Sequence, residues 1–102
     1  MANLVRICGV GELPSAGQVR EFTVGGQSFC VANVEGSVCV LDGICPHEGG
    51  PLGEGELENG RVVCPWHSYA FDARTGANDE DPELRARVFA ARVEDGALVA
   101  EV

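Results

Sequence analysis

Two short runs, Cys45-Pro46-His47 and Cys64-Pro65-Trp66-His67, contain both histidines of this 102-residue chain. They constrain its fold more than any other feature, because the sixteen intervening residues, 48–63, must bring the second run back beside the first. Each run supplies one thiolate and one imidazole. That donor set suits a 2Fe-2S cluster in which two cysteines hold one iron and two histidines the other. Neutral imidazoles replace two anionic thiolates, so such a centre carries less negative charge and accepts an electron more readily than an all-cysteine cluster. Tetrahedral zinc can also take two cysteines and two histidines. Zinc fingers usually pair cysteine with cysteine and histidine with histidine, whereas each pair here is mixed.

The residues around the four candidate ligands, Cys45, His47, Cys64 and His67, extend the pattern. The first half reads Cys45-Pro46-His47-Glu48-Gly49-Gly50-Pro51-Leu52. The second reads Cys64-Pro65-Trp66-His67-Ser68-Tyr69-Ala70-Phe71-Asp72, followed by Arg74-Thr75-Gly76. Both runs resemble the cluster-binding loops of the Rieske iron–sulfur family, in particular the soluble Rieske-type ferredoxins that serve bacterial oxygenases. Length and strand spacing let the resemblance cover the whole chain, 1–102, as one domain with a cluster-binding subdomain over about 43–72.

The resemblance implies that Cys45 and Cys64 hold the buried iron, and His47 and His67 the outer one. Gly49 and Gly50 let the backbone pass close to the sulfides, and Pro46, Pro51 and Pro65 stiffen the loops. Respiratory members carry one more cysteine in each loop, joined as a disulfide. The corresponding positions here are Gly50 and Trp66, so the staple is missing. Those members also place a serine and a tyrosine two and four residues after the second histidine, where their hydroxyls reach sulfur. Tyr69 and Phe71 stand there instead, and with Glu48 beside His47 they imply a low potential for such a centre. Ser68 replaces a glycine common in the ferredoxins. Two roles stay open for Trp66: shielding the centre from water, or forming a docking and electron-path surface. Pro82, after the acidic run Asp79-Glu80-Asp81, matches by position a proline loop that covers the cluster in this family.

Composition narrows the partners. Sixteen acidic residues face seven arginines and no lysine, for a net charge of −9. That charge opposes binding to nucleic acid or an anionic membrane surface and complements a basic face on another protein. The N-terminal run has no apolar stretch of signal-peptide length, and no run approaches the roughly eighteen apolar residues of a membrane span. The expectation is a cytoplasmic protein. Cys8, Cys30 and Cys39 are left over as an odd number beside apolar residues, and read as buried free thiols.

The apolar pattern has a strand period broken by turn signals. Strands are predicted over 4–8, 19–24, 27–33, 37–41, 69–72, 88–93 and 97–102. Gly25-Gly26 and Glu35-Gly36 join consecutive strands. Leu57-Glu58-Asn59-Gly60-Arg61-Val62-Val63 reads as a hairpin on a type I′ Asn-Gly turn, which returns Cys64 to the side of Cys45. Residues 83–87 fit either a helical turn or a strand lead-in. The fold class is all-β: a Rieske fold with an antiparallel β-sandwich base and the small cluster-binding subdomain on it.

The function implied is a one-electron carrier, passing electrons from a flavin-dependent reductase to a terminal oxygenase without transforming a substrate itself. The oxygenase role is excluded within this sequence, because a mononuclear iron site needs further histidines. Two alternatives stand: a small subunit of a larger redox enzyme such as assimilatory nitrite reductase, and a zinc-bound interaction module. Docking is expected over the cluster tip, around Glu48, Gly49, Trp66 and the 79–81 loop, with Glu21 on the far base.

Overall fold

Four two-residue turns set the architecture. Gly25-Gly26, Glu35-Gly36, Asn59-Gly60 and Asp95-Gly96 all have positive φ at both positions, between 50° and 93°. This is the type I′ geometry whose twist matches paired strands, and in each turn glycine occupies the second position, where a side chain would be strained. The flanking residues pair directly, as in Val24↔Gln27, Val34↔Ser37, Glu58↔Arg61 and Glu94↔Ala97.

The computed structural model describes residues 3–46, 49–66, 68–78 and 80–102. Their strands form three antiparallel sheets. The base sheet joins β1 (Leu4–Gly9), β10 (Ala97–Glu101) and β9 (Ala91–Glu94) in that order. The central sheet runs β2 (Val19–Val24), β3 (Gln27–Val34), β4 (Ser37–Asp42) and β8 (Val88–Phe89). The third contains β5 (Glu56–Glu58), β6 (Arg61–Val63) and β7 (Ala70–Asp72). Among the described residues, helix is limited to 3-10 turns at Val10–Glu12 and Leu52–Glu54.

The central sheet is covered on both faces. Along β3, Phe29, Cys30, Val31 and Ala32 are all fully buried. Side chains alternate across a strand, so these four divide between two cores. Phe29 and Val31 pack with Val40, Phe89, Ile7, Cys8, Leu98 and Ala100 against the base sheet. Cys30 and Ala32 pack with Val34, Leu41, Leu52, Val62 and Phe71 toward the third sheet. The Phe29 and Phe89 rings meet edge to face, with centroids 5.5 Å apart, a preferred aromatic arrangement. A register shift between Arg6 and Cys8 lets the consecutive residues Ile7 and Cys8 both turn inward.

The structure corrects two expectations and settles a third. The strand predicted over 88–93 is two strands: β8 pairs with β4 and β9 with β10, and the chain changes sheets at Ala90. Continuous apolar character hid the corner, because Phe89 and Ala91 belong to the same core on either side of it. Residues 83–87, left open between a helical turn and a strand lead-in, lead into β8, with the Arg87 carbonyl accepting the Asp42 N–H at 2.8 Å. A turn donates Leu84 N–H to the Asp81 carbonyl at 3.0 Å, and Arg85 makes a single bridge to Ala77. Glu21 does not lie on the far base: a Cβ on Gly53 would sit 2.6 Å from Glu21 Cβ, so Glu21 packs on the chain leaving the first loop.

None of Cys8, Cys30 and Cys39 forms a disulfide; the first two are buried and Cys39 is half-buried. Burial, then the nearby Glu21 carboxylate and the Cys39 thiol, push the Cys30 thiol up to about 12. Cys8 and Cys39 are also raised, mainly by burial. At pH 8 a thiol titrating near 12 is ionised in only about one molecule in ten thousand, and the thiolate is the reactive form. Native protein treated with iodoacetamide should therefore keep Cys30 unmodified by mass spectrometry until denaturant unfolds it. Rapid native labelling at pH 8 would contradict the packing described.

Candidate metal centre

Two loops of similar construction project from the third sheet and the end of β4. The first is closed at its stem, where Gly43 N–H donates to the Ser28 carbonyl and Leu52 N–H to the Gly43 carbonyl, each at 2.9 Å. Asp42 Oδ1 accepts the Ile44 N–H at 3.0 Å, turning the chain out of β4. Within the loop, Cys45 N–H donates to the Gly50 carbonyl at 2.8 Å, and Gly49 N–H donates back to the Cys45 carbonyl at 2.8 Å. In the second loop Cys64 N–H donates to the Tyr69 carbonyl at 2.7 Å. Each cysteine thus clamps the residue five positions on. In both loops the residue before the clamp is left-handed: Gly49 at φ 78° and Ser68 at φ 58°. Serine takes this conformation at a cost that glycine avoids.

Both cysteines are buried, 1% exposed for Cys45 and fully covered for Cys64, within one apolar cluster that includes Leu52, Val62 and Phe71. The loops meet at Gly50. A Cβ there would lie 3.0 Å from Cys64 Sγ and 3.0 Å from Cγ and Cδ2 of Trp66. The indole fills the space that a side chain at position 50 would need, so Trp66 packing takes the place of the covalent staple. Trp66 is still 48% exposed, covering Gly50 on one side and facing solvent on the other. Phe71 is fully buried beside both cysteines, and Tyr69 packs half-buried against the same cluster.

The structure thus brings together Cys45 and Cys64, with Gly50 and Trp66 between the loops. His47, Glu48, His67 and Asp79 lie outside the described residues. Two residues escaped the sequence reading. Ile44 is 55% exposed immediately before a buried cysteine, and nothing in an apolar run announces such exposure. Asn78 is 6% exposed, donates to the Ala70 carbonyl at 3.1 Å, and accepts the N–H groups of Glu80 and Asp81 at 2.9 and 2.8 Å. It ties the acidic, proline-ending loop to β7. An asparagine in a polar loop signals an Asx turn, but its burial depends on tertiary packing.

Clamped loops thus bury two thiols in one apolar shell of an all-β domain. The chain belongs to the Rieske family: the Rieske [2Fe-2S] domain matches residues 3–98. Among its relatives, Apoptosis-inducing factor 3 of Mus musculus is 38% identical over 78 residues, which is 76% of this chain and 13% of that protein. The chain therefore spans about an eighth of the length of that relative. The ferredoxin component of the alkene monooxygenase system of Xanthobacter autotrophicus is 31% identical over 96 residues, 93% of this chain and 78% of that protein. A ferredoxin structure from Sphingomonas yanoikuyae B1 superimposes with a TM-score of 0.85 at 27% identity, covering 98% of this chain and 99% of that one.

The family's 2Fe-2S cluster fits the described residues. The two thiols share an apolar shell, and Gly50 leaves bare backbone beside Cys64 Sγ. Gly50→Ala should then displace either Cys64 or the indole, lowering bound iron per chain more than twofold. Gly11→Ala, where a Cβ meets nothing within 4 Å, should retain full iron. Equal iron in both variants would show that the contact at Gly50 does not constrain the centre.

Proposed function

We propose that this domain is a one-electron carrier, with Cys45 and Cys64 on the inner iron and His47 and His67 on the outer one. The observation that carries this reading is the burial of Cys45 and Cys64 together beneath matched loops. The two histidines of the sequence both flank those cysteines, leaving none for a mononuclear iron site within these residues. The cluster, when bound, supplies a centre that takes up and gives up a single electron. Cys45 and Cys64 hold it as thiolates, since a coordinating thiol is deprotonated outright. Leu52, Val62 and Phe71 keep water from the thiolate side. The backbone clamps at Gly50 and Tyr69 fix both loops, so little has to rearrange as the charge changes.

The partners proposed are a flavin-dependent reductase and a terminal oxygenase, in keeping with the relatives named as ferredoxin components of such systems. Charge supports docking at the loop end. Residues 43–83 carry nine carboxylates against two arginines, net −7, leaving net −2 for the remainder of the chain. A field so skewed steers a basic partner surface toward the cluster lobe. Among the described residues no helix is long and apolar enough to cross a membrane, and a cytoplasmic location fits this role.

Purified protein should contain about two irons and two acid-labile sulfides per chain and be red-brown. Alanine at Cys45, His47, Cys64 or His67 should abolish the cluster, whereas Cys8→Ser should leave it. Colourless protein with stoichiometric zinc, reproduced without oxygen, would falsify this reading. Reconstitution with NADH and candidate flavoprotein reductases, following bleaching of the visible band, identifies the donor.

Electron transfer from that donor should slow as ionic strength rises. Glu80→Lys should slow it further without loss of iron, and Glu101→Lys, on β10 of the base, should matter less. Rates indifferent to salt, or equal effects of the two reversals, would place docking elsewhere.

A further inference from the structure

Two large apolar side chains flank the loops without serving either core. Ile44 and Trp66 are 55% and 48% exposed, and neither belongs to the cluster-side or the base-side core. Gly49 and Gly50 lie between them. A Cβ on Gly49 would sit 3.9 Å from Ile44 Cγ2, and one on Gly50 3.0 Å from the Trp66 ring. Gly49 is exposed and Gly50 is buried beneath the indole, so the exposed strip runs from the isoleucine across the Gly49 backbone to the outer face of the Trp66 ring. Pro46 and Pro65 are exposed alongside.

We propose that this strip is the apolar centre of the docking face, and that the redox partner covers it with an apolar patch ringed by arginine or lysine. The proposal rests on the electron-carrier reading above. Stable protein interfaces combine a desolvated apolar centre with a polar rim. Here residues 43–83 carry net −7, and their exposed carboxylates Glu54, Glu56, Glu58, Glu80, Asp81 and Glu83 would supply the rim. The other large exposed apolar residues, Leu4, Val10 and Val93, lie in the base segments, which carry little net charge. Among the described residues, only the strip joins exposed apolar surface to both cysteine loops within the acidic segment. The two features divide the work: charge governs encounter and its salt dependence, and the strip governs how long the complex lasts.

The test uses ferric cytochrome c, a basic protein with an apolar haem edge, as acceptor. One electron passes from the reduced cluster to the ferric haem, and the second-order rate is read by stopped flow at low and high ionic strength. Ile44→Ser and Ile44→Gln should lower the rate roughly threefold or more at both ionic strengths, with the salt slope, iron content and reduction potential unchanged. Leu4→Ser, at an equally exposed site on β1 (54%), should react as the parent does. Parental rates in both Ile44 variants, or an equal loss in Leu4→Ser, would overturn the strip as docking centre. Loss of cluster in both Ile44 variants would also overturn it, by making Ile44 a support of the centre. A cluster-loaded parent that passes no electron to cytochrome c would instead overturn the carrier reading on which the proposal rests.

Discussion

Everything in this domain depends on β3 and β4 being buried on both faces. Antiparallel sheets commonly leave one face to water. Here one face of the central sheet seals the sandwich base through Phe29, Val31 and Val40, and the other floors the cysteine loops through Cys30, Ala32 and Leu41. The third sheet is too short to bury a core of its own, with three residues in each strand. It borrows apolar surface from the central sheet. The cysteines are therefore positioned by the most thoroughly buried part of the fold, although they reach their places on irregular loops.

The matched loops hold two buried thiols still on backbone that has no ladder. Each cysteine amide closes a ring of chain onto the carbonyl five residues later, so each cysteine-bearing segment is tied at both ends. Where relatives of the respiratory type add a disulfide across the loops, this chain packs an indole on a glycine. The exchange gives up covalent restraint and gains a half-exposed aromatic surface at the rim of the centre.

Much of this was legible in the sequence because the signals were local. Alternating apolar residues and Asn-Gly, Gly-Gly and acidic-Gly turns located the hairpins, and the paired Cys-Pro runs marked the two loops that the fold brings together. The unread features needed tertiary information. The break at Ala90 separates two apolar strands of one core, so hydropathy alone shows a single run. Glu21 was expected on the far base, yet the chain after the first loop crosses over it. Ile44 and Asn78 reverse the usual expectation for their types, one apolar and exposed, the other polar and buried with its amide satisfied. Hydropathy cannot reveal either, because each is decided by what a distant segment does or does not cover.

The two-sided strand also makes β3 a ruler. Its successive side chains belong alternately to different cores, so its phase couples the base to the centre. Inserting or deleting one residue between the Gly25-Gly26 and Glu35-Gly36 turns would exchange the two sets. Phe29 and Val31 would then be thrust beneath the cysteine loops, while a small thiol and alanine faced the bulky base. Lengthening a surface turn costs little in closure entropy, but the eight-residue span of β3 is an indivisible measure shared by both halves.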